Sequence, residues 1–222
     1  MNLLLDRPPR TVKIGGAEYE IHSDFRVSVL FELLMQDEEI PPEAKVERTL
    51  SLYFPKPPVR EDIREVLQAV NWFYLCGRSD KEARLKSAVQ EDDERGESEA
   101  DNGQRVYSFD YDDEYIYAAF RQQYGINLSS VQYLHWWEFR AMFKALDEKC
   151  QFVKIMGYRA AKPGKGMSKE EKAFLRKMQR LYALPVPESE RKQHDNLVSA
   201  LLNGGDISAL LRNEEGNRGQ DG

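Results

Sequence analysis

The chain has 222 residues, of which 41% are hydrophobic and 32% are charged, and its formal net charge is −6. A chain of this length can bury a sizeable core in one large domain or two small ones. No apolar run reaches the ~18 residues of a membrane span, and the N-terminus lacks the charged start and apolar stretch of a secretory signal. We therefore expect a protein of the cytoplasm with no membrane partner.

The sequence contains no motif that is typical of a catalytic, metal or nucleotide site. Its two cysteines, Cys76 and Cys150, are too few for a disulfide framework, so we expect buried, reduced thiols. The three histidines, His22, His135 and His194, lie far apart and have no zinc-binding spacing. No P-loop, dinucleotide-binding glycine loop or nucleophile elbow occurs. These absences predict a protein that is not an enzyme and holds no cofactor.

The N-terminal region predicts a β-hairpin followed by three helices. Residues 11–22 alternate apolar and polar side chains around Gly15-Gly16, a pattern that is typical of two strands joined by a tight turn. Ser23 or Asp24 can cap the first helix. Apolar residues at helical spacing predict helices over residues 24–36, 43–54 and 61–76. Since an isolated hairpin is marginal in water, we expect it to pack on these helices.

The segment from residue 79 to residue 104 differs in composition from the rest of the chain. It holds nine acidic and four basic residues, a net charge of −5. Its second half holds almost no apolar side chains, so burial would not offset the conformational entropy lost on ordering it. We expect an acidic disordered insert at about residues 88–104.

Residues 107–158 form an aromatic block that holds 14 of the 24 Phe, Tyr and Trp residues. Because aromatic side chains bury the most apolar area per residue, this block predicts the centre of the core. Acidic residues at positions 110–114 indicate the start of a helix that ends at Tyr124-Gly125, since acids favour the positive end of the helix dipole. The spacing of these acids does not fit a calcium-binding loop.

A second helix of the block is predicted over residues 131–146, with Ser129 and Gln132 as a capping box. Its apolar residues cover nearly the whole circumference, so it is either the central helix of the domain or is covered by a partner on one side. His135 and Glu138 would share its apolar side as a structural, partner-contacting or acid–base pair. The remaining polar window of this helix contains Tyr133, Arg140 and Lys144.

The C-terminal region of the chain is basic. We predict a helix over residues 148–159, and then a helix that begins with a capping box of Ser168 and Glu171 and ends at about Tyr182. Between residues 161 and 180, seven basic residues stand against two acidic ones. Because the whole chain is acidic, this segment favours a protein-binding or self-associating surface over a nucleic acid contact.

Together these elements predict a mostly α fold. We expect a compact multi-helix domain with a small N-terminal β-hairpin, an acidic disordered insert and a flexible C-terminal tail. The helical domain is placed at residues 1–184, and a short helix with a disordered tail is placed at residues 185–222.

Several strings in this chain resemble one protein family. They are YEIHSDFR at the end of the hairpin, then YSFDYDDEYIYAAFRQQYGINL, LHWWEFRAMFKAL and IMGYRA. In this order, with the acidic insert among them, they are similar to the tail assembly chaperones of long-tailed phages and prophages of Gram-positive bacteria. The resemblance extends with gaps from residue 11 to about residue 161, and LHWWEF is its most specific part.

The resemblance implies a non-enzymatic role in virion assembly, in the host bacterial cytoplasm. Chaperones of this kind coat the long, helical tape measure protein, keep it soluble and pass it to the major tail protein. The implied partner is the tape measure protein, and the major tail protein, a companion chaperone and other copies of the chain are further candidates. A structural tail-completion or adaptor component of the virion is the alternative. The candidate partner-binding residues are Tyr133, Arg140, Lys144, Lys169, Lys172 and Arg176.

The aromatic block yields a prediction for Trp137. If its ring is buried, Trp137→Ala lowers the free energy of unfolding by about 3–5 kcal/mol, because the substitution removes apolar contacts and leaves a cavity. Urea denaturation followed by circular dichroism measures this loss. A change below about 1 kcal/mol would place the ring on the surface instead.

Overall fold

The computed structural model describes residues 2–78, 105–164 and 166–185. In these ranges the chain forms one two-stranded sheet and seven helices. The elements are β1 (Thr11–Ile14), β2 (Ala17–Glu20), α1 (Phe25–Gln36), α2 (Pro42–Tyr53), α3 (Ile63–Tyr74), α4 (Asp113–Tyr124), α5 (Trp136–Lys144), α6 (Gln151–Ala160) and α7 (Lys169–Leu181). The predicted mostly α fold with an N-terminal hairpin is therefore confirmed.

Two predicted segments lie outside the described residues. They are the acidic insert, at about residues 88–104, and all but the first residue of the C-terminal segment 185–222. The described residues up to Leu184 belong to one compact unit. The predictions for the insert and for the C-terminal segment stay predictions.

The hairpin follows the predicted pattern, with β1 and β2 antiparallel. Gly15 and Gly16 make the turn with φ angles of 57° and 83°, which side chains disfavour. The hairpin is fixed to the polar start of α3. There the Gly15 amide donates to the Glu65 carboxylate at 3.0 Å, and the Tyr19 hydroxyl donates to Glu61 at 2.6 Å.

Side-chain caps set several helix boundaries at the predicted places. Asp24 accepts a hydrogen bond from the Arg26 amide at 3.0 Å and begins α1. Ser168 and Glu171 form the predicted capping box of α7, with both reciprocal hydrogen bonds present. Gly125 ends α4 in the left-handed conformation, with a φ of 69°. These boundaries were predictable because each capping residue is adjacent in sequence to the helix that it begins or ends.

The prediction of a helix over residues 131–146 is wrong for residues 131–135. α5 begins only at Trp136. Ser129, which was predicted to cap the helix, instead donates its hydroxyl to the side chain of Asn127 at 2.7 Å. The residues just before α5 are extended because they pair with the backbone that precedes α1.

This pairing is a short antiparallel bridge between two distant segments. The Phe25 amide donates to the Leu134 carbonyl at 2.9 Å, and the Trp136 amide donates to the Ser23 carbonyl at 2.8 Å. The Asp24 carboxylate accepts a further hydrogen bond from the Leu134 amide at 3.2 Å. Two helices, α1 and α5, therefore begin at one shared bridge, which satisfies amides that helix starts leave without partners.

The core is centred on α5. Phe139 is 1% exposed and stacks between two rings from other helices. Its centroid lies 4.8 Å from that of Phe25 on α1 and 4.9 Å from that of Phe120 on α4. The opposite side of α5 is exposed and carries Glu138 and Ala141. Of the two interpretations of this helix, the structure agrees with the central helix of the domain.

Both indole N–H groups of α5 donate to the end of α3. Trp136 donates to the carbonyl of Tyr74 at 2.9 Å, and Trp137 donates to the carbonyl of Phe73 at 2.7 Å. The predicted burial of Trp137 is confirmed, since its side chain is 2% exposed. These bonds matter because a buried indole without a partner would lose a hydrogen bond that water supplies.

Two residues with positive φ follow the end of α3, Cys76 at 59° and Gly77 at 73°. The Gly77 amide donates to the Trp72 carbonyl at 2.8 Å, which closes the last turn. A Cβ atom at residue 77 would lie 3.0 Å from the ring of Trp137, so the predicted stop favours glycine for space as well as for conformation. Cys76 and Cys150 are both free, as expected, but each is only half-buried, so the expectation of buried thiols is wrong.

A buried ion pair joins α6 to the residue that precedes α4. Arg159 and Asp112 are 8% and 1% exposed, and their two parallel hydrogen bonds measure 2.6 and 2.9 Å. Arg159 also donates to the carbonyls of Val106 at 3.0 Å and Tyr182 at 2.6 Å. Asp112 accepts a further bond from the Ser108 amide at 2.9 Å. Such complete hydrogen bonding is what offsets the desolvation of a buried pair.

Removing the carboxylate of this pair would leave the Arg159 guanidinium buried without a counter-charge. We expect Asp112→Ala to lower the free energy of unfolding by about 3–5 kcal/mol. Asp113→Ala is the matched control, because Asp113 is exposed and its loss costs about 1 kcal/mol at most. Urea denaturation measures both variants. Equal losses would show that the buried pair contributes no more than a surface charge.

Candidate functional site

α7 leaves most of its surface exposed and packs mainly against α6. Of its 13 residues, only Leu175 is buried. Phe174 and Leu181 are apolar, yet they are 54% and 64% exposed. A helix that presents large apolar side chains together with charges is a candidate contact surface.

We define the basic face of α7 as Lys169, Lys172 and Arg176. These residues fall on one side of the helix because they are spaced by three and four positions. Lys172 is half-buried, and the other two are exposed. None of the three side chains forms a hydrogen bond or an ion pair with another described residue. The fold therefore leaves their charges available to a partner that carries acidic groups.

Four rings form a continuous row from α7 to α4, which we call the aromatic row: Phe174, Tyr158, Tyr182 and Tyr115. Neighbouring centroids in this order lie 6.1, 6.2 and 6.3 Å apart. All four rings keep some exposed surface. The Tyr182 hydroxyl accepts a hydrogen bond from the side-chain amide of Gln151 at 3.0 Å, which fixes the middle of the row.

Tyr133 lies away from both of these surfaces. The prediction that Tyr133 lies in the polar window of a helix is wrong, because α5 begins three residues later. The Tyr133 hydroxyl lies 2.7 Å from Oγ of Ser23, and the guanidinium of Arg10 lies over its ring at 4.8 Å. The ring is 40% exposed, so it belongs to a loop surface near the N-terminus of α1.

Arg140 and Lys144 lie one turn apart on α5. The guanidinium carbon of Arg140 lies 5.2 Å from the centroid of the Trp136 ring and 5.6 Å from that of Tyr74. These cation–π contacts hold the half-buried Arg140 against the fold, whereas Lys144 is exposed. The six candidate residues thus lie in three places: the loop before α5, α5 itself and α7.

A cluster of phenols surrounds the carboxylate of Glu32 on α1. The Tyr74 hydroxyl donates to Glu32 at 2.8 Å, and the Gln36 side chain donates to it at 3.3 Å. Burial, and then the negative charge of Glu32, raises the pKa of Tyr74, and the same two causes raise the pKa of Tyr107. Both phenols therefore stay protonated at neutral pH and act as hydrogen-bond donors within the fold.

His135 is the N-cap of α5 and does not share a helix face with Glu138, which is exposed. Its Nδ1 accepts a hydrogen bond from the Trp137 amide at 3.0 Å, and its Nε2 lies 2.9 Å from the Pro9 carbonyl oxygen. Because Nδ1 accepts and Nε2 donates, the ring is neutral with its proton on Nε2. Burial is the main cause that lowers the pKa of His135.

The described part of the chain contains no group of three or more His, Cys, Asp or Glu side chains able to hold a metal ion. In the same ranges, none of the helices combines the length and the apolar character needed to cross a membrane.

A family model described as Bacteriophage Gp15 protein matches residues 4–184, which is most of the chain. The chain belongs to this family. Membership in the Bacteriophage Gp15 family makes the chain a bacteriophage protein. The matched segment contains every helix of the structure, and hence both the basic face and the aromatic row. No match was found among curated proteins or among solved structures.

Two features of this site were not predicted from the sequence. The capping role of His135 had a local signal, since this residue directly precedes the buried Trp136 and a polar side chain there can accept an amide hydrogen. The aromatic row had no such signal, because its rings come from α4, α6, the middle of α7 and the residue that follows α7. Only the packing of these helices brings them together.

The buried His135 predicts that stability depends on pH. In the unfolded chain the ring titrates near its ordinary pKa of 6.5, whereas the folded ring has a lower pKa. Below pH 6.5 the unfolded state therefore binds more protons than the folded state, and the free energy of unfolding decreases. The contribution of His135 is complete above this pH and is lost as the solution becomes more acidic.

The test of this prediction compares the wild type with His135→Asn. Asparagine can still cap the helix but does not titrate. We expect the free energy of unfolding of the wild type to fall more steeply between about pH 7 and pH 5 than that of the variant. Urea denaturation at a series of pH values measures both slopes. Identical slopes would contradict the assignment.

Proposed function

We propose that this bacteriophage protein is a non-enzymatic tail assembly chaperone that binds the tape measure protein in the host cytoplasm. Two findings support the proposal: membership in the Bacteriophage Gp15 family, and the resemblance of the LHWWEFRAMFKAL helix and its flanking strings to chaperones of this kind. In this role the protein keeps the tape measure protein soluble during tail assembly and uses no cofactor.

The observation that carries the proposal is the basic face of α7. Three cations on one side of an amphipathic helix have no partner among the described residues. They favour a partner segment that carries acidic side chains, and a long helical partner can present such side chains along one face. Charges at the edge of such a contact set its orientation and its rate of association.

Two further partners are proposed with the tape measure protein. The major tail protein would receive the tape measure protein, and a companion chaperone would share the task of covering it. Nucleic acid is not proposed as a partner, because the chain carries a net charge of −6 and shows no interleaving of aromatic and basic residues of the RNA-binding type.

Co-expression with the tape measure protein of the same phage genome tests the proposal. We expect the tape measure protein to be soluble in the presence of this chain, to be retained with it on an affinity column, and to aggregate in its absence. If the tape measure protein stays insoluble and retains none of this chain, the chaperone function is refuted.

The basic face predicts which substitutions weaken this complex. The triple variant Lys169→Glu, Lys172→Glu, Arg176→Glu replaces attraction to acidic groups with repulsion, so we expect the retained tape measure protein to fall by about tenfold or more. Equal retention by the triple variant and the wild type would exclude this face as the contact.

A matched control reverses the same number of charges elsewhere. Lys13, Arg48 and Arg64 have exposed side chains away from α7. Their triple replacement by glutamate should leave retention near that of the wild type. Loss of retention in both triple variants would point to net charge instead of a defined face. Thermal unfolding of each variant checks that the fold is intact.

The composition of mature phage particles separates the chaperone from the alternative function. A chaperone leaves before the tail is complete, so it should be absent from purified virions. A tail-completion or adaptor protein would be found there in a fixed number of copies per particle. Quantitative mass spectrometry of purified virions decides between the two.

A further inference from the structure

The positive charge of α7 extends one turn beyond the basic face. Arg180 follows Arg176 by four positions and therefore lies on the same side of the helix. It is exposed, and its side chain has no hydrogen-bond or ion-pair partner among the described residues. We call the basic face together with Arg180 the cation row. Its members are Lys169, Lys172, Arg176 and Arg180.

The cation row occupies one narrow side of α7, and the acids of this helix lie elsewhere. At 100° per residue, its four members fall within an arc of about 80° around the helix axis. Glu170 lies about 120° and Glu171 about 140° from the middle of this arc. The Glu171 carboxylate is also held by the capping box, where it accepts a hydrogen bond from the Ser168 amide at 2.7 Å. A partner along this side of α7 would therefore meet positive charges alone.

α7 is fixed at both ends and in between, so the backbone that carries the cation row is already ordered. A capping box begins the helix, and just after its end the carbonyl of Tyr182 accepts a hydrogen bond from Arg159 at 2.6 Å. Within the helix, the side-chain amide of Gln179 donates to the carbonyls of Tyr158 and Ala161 at 3.1 and 2.8 Å. Little backbone entropy is therefore lost in α7 when a partner binds.

The spacing of the cation row matches that of acidic side chains on another α-helix. Its members are separated by three, four and four residues, which corresponds to about 16.5 Å from first to last. Acids on one face of a partner helix repeat at the same spacing, so four ion pairs can form in step. On one side of an extended chain, side chains recur about every 6.7 Å, so four of them span about 20 Å. Correcting this mismatch would cost side-chain freedom.

The acidic start of α4 limits the cation row at the end that carries Arg180. Arg159 binds both Asp112, the residue before α4, and the carbonyl of Tyr182, the residue after α7. It thereby brings the first turn of α4, which carries two exposed acids, near this end of α7. Because these acids repel like charges, a complementary partner carries no further acid beyond Arg180.

We propose that the cation row binds the acidic face of a partner α-helix of about three turns, in which four acidic side chains are spaced by three and four residues. The two helices lie side by side, and each acid of the partner meets one cation of the row. This inference deepens the proposed chaperone function and rests on it for the identity of the partner chain. The preference for an acidic helix rests on the charge and spacing of α7.

Three synthetic peptides, each with four glutamates, test this preference. The first is a helix with its glutamates at the spacing of the cation row, and the second has the same composition with its glutamates spread around the helix. The third alternates glutamate with threonine, which favours an extended backbone. Circular dichroism checks the conformation of each peptide, and fluorescence anisotropy with the full chain measures the dissociation constants at low salt.

We expect the first peptide to bind about tenfold or more tightly than the other two, because only its four charges fall in step with the cation row. Equal affinity for the three peptides would show that α7 attracts acidic chains of any shape and would overturn the proposal. A single-stranded oligonucleotide of the same charge that binds as tightly as the first peptide would overturn it as well.

Arg180 and Lys177 provide a matched pair of variants. Both are exposed and they are three residues apart, but Lys177 lies about 100° from the middle of the cation row. We expect Arg180→Glu to weaken binding of the first peptide about tenfold, and Lys177→Glu to weaken it about twofold at most. Equal losses would contradict the assignment of Arg180 to the row. Thermal unfolding checks that both variants keep the fold.

The peptide measurements and the co-expression with the tape measure protein can fail separately. If the first peptide is not preferred while the tape measure protein stays soluble with this chain, the helix preference is wrong and the chaperone function stands. If the first peptide is preferred while the tape measure protein aggregates, the chaperone function is wrong and the cation row serves another helical partner.

Discussion

Arg159 and Asp112 form an ion pair that water barely reaches, and the C-terminal half of the domain depends on it. One guanidinium holds the carboxylate before α4 together with the carbonyls of Val106 and Tyr182. Because a buried charge without its partner costs several kcal/mol, these segments take up their positions together. The basic face and the aromatic row therefore both lie on segments that this pair holds in place, which limits the entropy lost on binding.

Backbone pairing and aromatic packing stabilise the N-terminal half of the domain. Backbone hydrogen bonds of the bridge satisfy the first amides of α1 and α5, and Asp24 and His135 cap the two helices. Phe139 of α5 stacks between rings of α1 and α4. Both indoles of α5 donate hydrogen bonds to carbonyls at the end of α3. The aromatic block is thus the core of the fold, and the exposed contact surfaces lie mainly on the helices around it.

Local sequence signals were sufficient wherever the deciding residues are neighbours. The hairpin turn, the start of α1, the capping box of α7 and the end of α4 all belong to this class. The start of α5 was not predictable, because the segment that keeps Leu134 extended lies 110 residues away at Asp24. Tyr133 was misplaced for the same reason. The basic face was predictable from charge and spacing, but its lack of internal partners becomes visible only once the helices are packed.

On the ribosome, the N-terminal helices emerge well before the helix that completes their core. The indoles of α5 bind carbonyls of α3 that lie 62 and 64 residues earlier in the chain. Until that part of the chain has been synthesised, the apolar residues of α1 and α3 that pack on α5 stay uncovered, and closing so long a loop adds an entropic cost. Products that terminate before α5 consequently lack the helix that completes this core, and their uncovered apolar residues favour aggregation and proteolysis. Under the proposed chaperone function, the chain would itself need the kind of protection that it gives its partner until α5 is made.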